Sequence, residues 1–142
     1  MMKKTDLFMA CATLLLLLSS PGFAFKTAVL GGIRNDLALG VMFEEKNLPV
    51  DTTLRLGFEA NTSNPQGIIF ISGKAHLMDV NKKHPLFLSG GLVAYLSNAT
   101  QIGPYISLIF EPVLDVTPLF LEFGIDIAKS RLIQAQVGYY FL

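Results

Sequence analysis

The segment Pro118–Ala128, PLFLEFGIDIA, constrains this chain more than any other. From Leu119 to Ile127 its odd positions read Leu, Leu, Phe, Ile, Ile, and the positions between them read Phe120, Glu122, Gly124 and Asp126. A period of two, with one oily row and one row bearing carboxylates, is what a strand displays and a helix scrambles. The two rows need different surroundings. In a membrane-spanning barrel the oily row meets lipid and the carboxylates face a closed interior, whereas in a soluble barrel the rows change places.

The pattern recurs along the chain. Gly, Pro, Asn and Asp clusters divide it into eight segments: Lys26–Ile33, Asp36–Glu44, Thr52–Ala60, Gln66–Met78, Pro85–Leu96, Gly103–Glu111, Pro118–Ala128 and Arg131–Leu142. Leu37, Leu39, Val41 and Phe43 oppose Ala38, Gly40, Met42 and Glu44, while Leu54, Leu56 and Phe58 oppose Arg55, Gly57 and Glu59. Ile133, Ala135, Val137 and Tyr139 likewise oppose Gln134, Gln136, Gly138 and Tyr140. The first segment has no clearly polar phase. An even number of strands joined by hairpins closes an up-and-down barrel and leaves no exposed edge.

The composition of the polar row decides between the two settings. A soluble barrel studs its outer face with Lys and Glu. Here that row is mostly Gly, Ser, Ala and Gln with about one charge per strand, which suits a narrow interior of small residues and paired ions. The expected fold is therefore an all-β, eight-stranded antiparallel up-and-down transmembrane β-barrel. Residues 1–24 have the form of a cleaved signal peptide: Lys3 and Lys4, an apolar run centred on Leu14–Leu18, a Ser-Ser-Pro-Gly break and Gly22-Phe23-Ala24 at the cleavage site. The barrel domain is then residues 25–142. Loss of Lys3, Lys4 and Asp6 takes the 11 basic and 11 acidic residues to nine and ten, a net charge of −1. Cys11 leaves with the leader, so the exported part has no disulfide. No basic patch points to nucleic acid, no motif points to a metal or cofactor, and the length suits one domain.

The leader, the eight alternating strands and the terminal strand Ile133–Phe141 resemble the small outer-membrane barrels of the OmpX type and the OmpA membrane domain. The resemblance is one of architecture and covers residues 25–142. It implies residence in the outer membrane of a Gram-negative-type bacterium as a monomer, with outer-membrane lipids and the barrel-insertion machinery as partners. Such barrels end on an aromatic residue; here Phe141 is penultimate.

Hairpin geometry gives a first map of the interior. Centring the connectors places Arg55 opposite Gly40 and beside Phe70 or Ser72, Ser72 opposite Gly91, Gly91 near Ser107, and Ser107 opposite Glu122. Arg55 and Glu122 then face each other across a bore just wide enough for side chains to fill. The expected interior is a structural ion pair, Arg55–Glu122, supported by Lys74, Glu59, Glu111, Asp126, Gln134 and Gln136. It would plug a porin-like wall rather than conduct.

The expected function is non-enzymatic, a structural role in the envelope. A lipid-modifying enzyme would use a Ser or His with an acid, from among Ser72, Ser89, His76, His84, Glu59 and Glu111. Ser72 and His76 share a face but lie ~13 Å apart along a strand, too far for a nucleophile and its base. The remaining alternative is a soluble exported barrel binding an apolar ligand. Tyr105, Tyr139 and Tyr140 are candidates for interfacial aromatic girdles, and Tyr95 for the interior. The turns Arg34-Asn35, Asn61–Pro65, Ser97–Ile102 and Lys129-Ser130 would face outward and are short for a receptor or adhesin.

Overall fold

The computed structural model describes residues 25–46, 50–62, 67–128 and 131–141. The leader, the connector Lys129-Ser130 and Leu142 lie outside the described residues. Eight strands follow one another: β1 (Lys26–Arg34), β2 (Asp36–Glu45), β3 (Thr53–Asn61), β4 (Gly67–Val80), β5 (His84–Leu96), β6 (Gln101–Phe110), β7 (Leu119–Ile127) and β8 (Arg131–Tyr140). Each pairs antiparallel with its neighbour, and β8 closes on β1, giving an up-and-down closed barrel.

The strand rows separate as their chemistry demands. Phe120, Glu122 and Asp126 of β7 are buried, while Phe123 and Ile125 are 48% and 44% exposed. The same alternation places Ala38, Met42 and Glu44 of β2 inside and Leu37, Leu39 and Val41 outside. In β1, whose phase the sequence leaves open, Ala28, Leu30 and Arg34 point inward. The interior is therefore mixed, with a hydrophobic cluster including Leu30, Met42, Phe70, Tyr95, Tyr105, Ile109 and Phe120 packed among buried charges.

Glycines make room for the large interior side chains. Gly57 pairs directly with Phe70, and a Cβ there would collide with the Phe70 ring. Gly138 pairs with Phe120 and relates to that ring in the same way. A ring laid flat on a glycine of the next strand fills the bore without forcing the wall outward.

The register departs from simple hairpin centring in three places. Arg55 lies opposite Glu44, and Gly40 opposite Glu59, because the β2–β3 turn is centred nearer residue 50. Gly91 pairs with Tyr105 because β6 begins at Gln101. Ser107 pairs with Gly124, and Glu122 with Ile109, because the β6–β7 connector folds back on itself through the Val113↔Val116 bridge.

The strands are also staggered. A circuit of the ladder from Phe110 passes Leu121, Val137, Gly31, Leu39, Ala60, Gly67 and Leu96. Leu96 lies one step beyond the pair Tyr95↔Gln101, so the circuit re-enters β6 about ten residues from its start. Residues on one ladder row are consequently not at one height in the bore.

The two ends differ. The end with the β1–β2 turn is compact; Arg34 pairs with Asp36 around a single Asn35 at φ 66°, a conformation Asn tolerates. At the other end β4 and β5 continue past their outer neighbours, with a register shift between His76 and Met78, into a hairpin tipped by Asn81 and Lys82.

Candidate functional site

The candidate site is the charged interior, and it forms three linked tiers. At the compact end stands Arg34. Its Nε and Nη2 donate to Asp126 at 2.8 and 3.0 Å, and its Nη1 donates to Glu59 Oε1 at 2.7 Å. The Tyr95 hydroxyl donates to Asp126, and Asn61 donates to the Arg34 carbonyl. Gln136 donates to Glu59 at 2.5 Å and accepts from Gln134 at 2.8 Å. The guanidinium packs against the Phe70 and Tyr105 rings, 4.7 and 4.9 Å from their centroids, where a delocalised cation is attracted to aromatic faces.

Arg55 holds the middle. Its Nη1 and Nη2 reach Glu122 Oε1 and Oε2 at 3.1 and 2.7 Å, a two-pronged pairing that suits the planar fork of arginine. Ser107 donates to Glu122 at 2.7 Å, and Arg55 Nη1 donates to Ser89 at 3.3 Å. Ser89 in turn donates to Ser72 at 3.1 Å. The Arg55 Nε lies 3.2 Å from Glu44, which joins this tier to the next.

The third tier fills the mouth where β1 begins and β8 ends. Lys74 Nζ donates to Glu44 at 3.0 Å and to Glu111 at 3.3 Å. The Tyr140 hydroxyl lies between the same carboxylates, 2.7 Å from Glu44 and 3.0 Å from Glu111. Lys26 covers the Tyr140 ring from outside, 3.7 Å from its centroid. Among the described residues, each of the three cations of the lattice thus serves two carboxylates, and none of its carboxylates is without a cation. That sharing keeps buried charge tolerable in a bore with little room for water.

The structure brings together all six charges expected from the sequence, namely Arg55, Glu122, Lys74, Glu59, Glu111 and Asp126, with Gln134 and Gln136. It divides them among tiers rather than gathering them round Arg55–Glu122. Further members include Arg34, Glu44, Tyr95 and Tyr140. Arg34 is fully buried although its Arg34-Asn35 dipeptide has the form of an outward turn. The signal for it was local: a two-residue turn is short enough for the strand phase to run through Arg34. Tyr105 and Tyr140 are interior rather than girdle residues, while Tyr139 faces outward. Asn61, first residue of an Asn-Thr-Ser turn in the sequence, is buried as well.

The candidate catalytic groups are dispersed. Ser72 and Ser89 are buried in the bore, whereas His76 is exposed at the mouth and bonded to Asp79 at 2.8 Å. His84 opens β5, its ring 4.0 Å from Asp115. Ser72 and Ser89 hydrogen-bond each other and no histidine.

Compared with family models, curated proteins and solved structures, the chain matches none of them.

Proposed function

We propose that this chain is an outer-membrane barrel with a plugged interior and a non-enzymatic, structural role in the envelope. One observation carries it: the exposed outer rows are built of Leu, Ile, Val and Phe, while the ions are sealed within. In water such a wall would be an extended exposed apolar surface of the kind monomeric soluble proteins avoid. Six of the eight strands, all but β4 and β5, run 9–10 residues and support the same conclusion. At ~3.3 Å per residue and a tilt of ~45° they stand roughly 21–23 Å tall, close to the ~25 Å apolar band of such barrels.

A soluble ligand-binding barrel needs Phe123 and Ile125 inside and Glu122 and Asp126 in solvent. Their positions here are the reverse. The shared cations favour a plug over a channel, since an ion crossing the bore would have to break tier after tier. Residence in the outer membrane, insertion by the barrel-insertion machinery and a monomeric state belong to the same proposal.

The test is detergent dependence of the purified chain after leader removal. A membrane barrel stays folded in detergent, migrates faster on a gel unheated than boiled, and aggregates once detergent is withdrawn. A folded, monodisperse protein in plain buffer would refute the proposal.

A further inference from the structure

We infer that the outer wall carries a seat for one phosphate-bearing membrane lipid, its acyl chain in a groove across β5–β8 and its phosphate on Arg131. The inference rests on the membrane reading above and adds a ligand and a place to it.

The groove is a recess of about 520 Å³ on the outside of the wall. Its sides are Ile106, Leu108, Phe123, Ile125 and Ile133, and it exists because Ala135, on the same outward row, leaves the floor low between them. Ala135 pairs with Phe123, so a one-carbon side chain stands directly beside a large ring. A recess lined almost wholly by hydrocarbon matches a lipid tail.

Charge identifies the other half of the ligand. Among the described barrel strands, the outward row carries one exposed Asp, Glu, Lys or Arg, namely Arg131; Glu45 has the same phase but is buried, and Lys26, Asp36 and Asp79 are exposed at strand ends on the inward phase. Glu45 ends β2 at the mouth closed by Lys74 and Tyr140, whereas Arg131 begins β8 at the compact end. Arg131 shares the outward row of Ile133 and Ala135, two residues or ~6–7 Å along the strand from Ile133. It is exposed, and its side chain makes no hydrogen bond or ion pair with any described residue. An arginine at the rim of an apolar wall lays its stem along the hydrocarbon and presents its fork at headgroup depth. That fork fits phosphate in two-pronged geometry.

A second copy of the chain is a poorer occupant. Two-fold packing across this groove would set Arg131 against its own counterpart at one depth, with no outward carboxylate on β5–β8 to offset it.

Native mass spectrometry of the folded, delipidated protein in a neutral detergent tests the seat, with phosphatidylglycerol and the phosphate-free diacylglycerol of identical acyl chains as probes. The expected result is one retained phosphatidylglycerol, preferred roughly tenfold, which corresponds to about 1.4 kcal/mol. Arg131→Gln should equalise the two lipids, and Ala135→Phe, which fills the groove, should lower retention of both. Neither should alter heat-modifiable migration, because neither touches the bore. No preference in the parent protein, a preference surviving Arg131→Gln, or undiminished retention in Ala135→Phe each overturns the seat while leaving the membrane barrel standing. A chain that folds without detergent overturns both.

Discussion

Replacing Glu122 by Leu removes the acceptor of both Arg55 prongs and of the Ser107 hydroxyl in a site that is 1% exposed. Breaking a buried pair by deleting one partner costs ~3–5 kcal/mol, chiefly because the survivor stays charged and dry. Here Arg55 retains Glu44 at 3.2 Å, so the loss should fall near the lower bound, about 3 kcal/mol. Arg55→Leu should cost more, about 4–5 kcal/mol, because Arg55 serves two carboxylates and Glu122 would keep only Ser107. The double variant removes the charge imbalance and leaves Glu44 to Lys74. Its loss should be smaller than the sum of the single losses by about 2–3 kcal/mol, the upper part of the range seen for directly coupled residues. Urea titrations in one fixed detergent or lipid, followed by tyrosine fluorescence and by the gel shift between folded and unfolded forms, give all three values. Additivity to within about 0.5 kcal/mol would falsify the pairing and the lattice built on it.

Three other perturbations probe different levels of the structure. Arg34→Met should destabilise by about 3–5 kcal/mol in the same titration, since Asp126 and Glu59 both lose their cation; a surface turn residue would show less than about 0.5 kcal/mol. Ile71→Arg, about midway along the stretch of β4 paired with β3, should cost ~2–4 kcal/mol in lipid, and a near-neutral effect would indicate that this face meets water. Gly57→Ala should lose about 1–3 kcal/mol by driving a methyl into the Phe70 ring, whereas Gly31→Ala, whose nearest neighbour is Leu39 Cδ1 at 3.6 Å, should be neutral or slightly stabilising when compared by urea midpoint.

Strand existence, strand phase and the sorting of charge from oil were legible in the residues. Each is a local property: a period of two is fixed by the backbone, so Glu122 and Asp126 share a row in any strand that contains them. Which row faces in was also legible, because only one carries the glycines, small polar residues and sparse charges that an eight-stranded bore accommodates. Partners were not. The centred hairpins differ from the observed register at Arg55, Gly91 and Ser107, and still Arg55 meets Glu122. The ladder row of Arg55 runs through Ser72, Gly91 and Tyr105 to Asp126, yet the ion pair reaches Glu122, four residues along β7. Barrel stagger accounts for that offset, since half a circuit drifts by about five residues, and the register differences happened to cancel it.

The sequence alone determined that this chain would form eight two-faced strands with ions on the slimmer face, because alternation and side-chain size act within a single strand. Only the tertiary structure decided that Arg34 enters the bore, that the interior cations are each shared by two carboxylates and that an apolar groove opens across β5–β8, its edge residue Ile133 two positions from Arg131. Those outcomes depend on how far each turn shifts its strand and on the stagger accumulated round a closed wall, and neither quantity resides in any one segment.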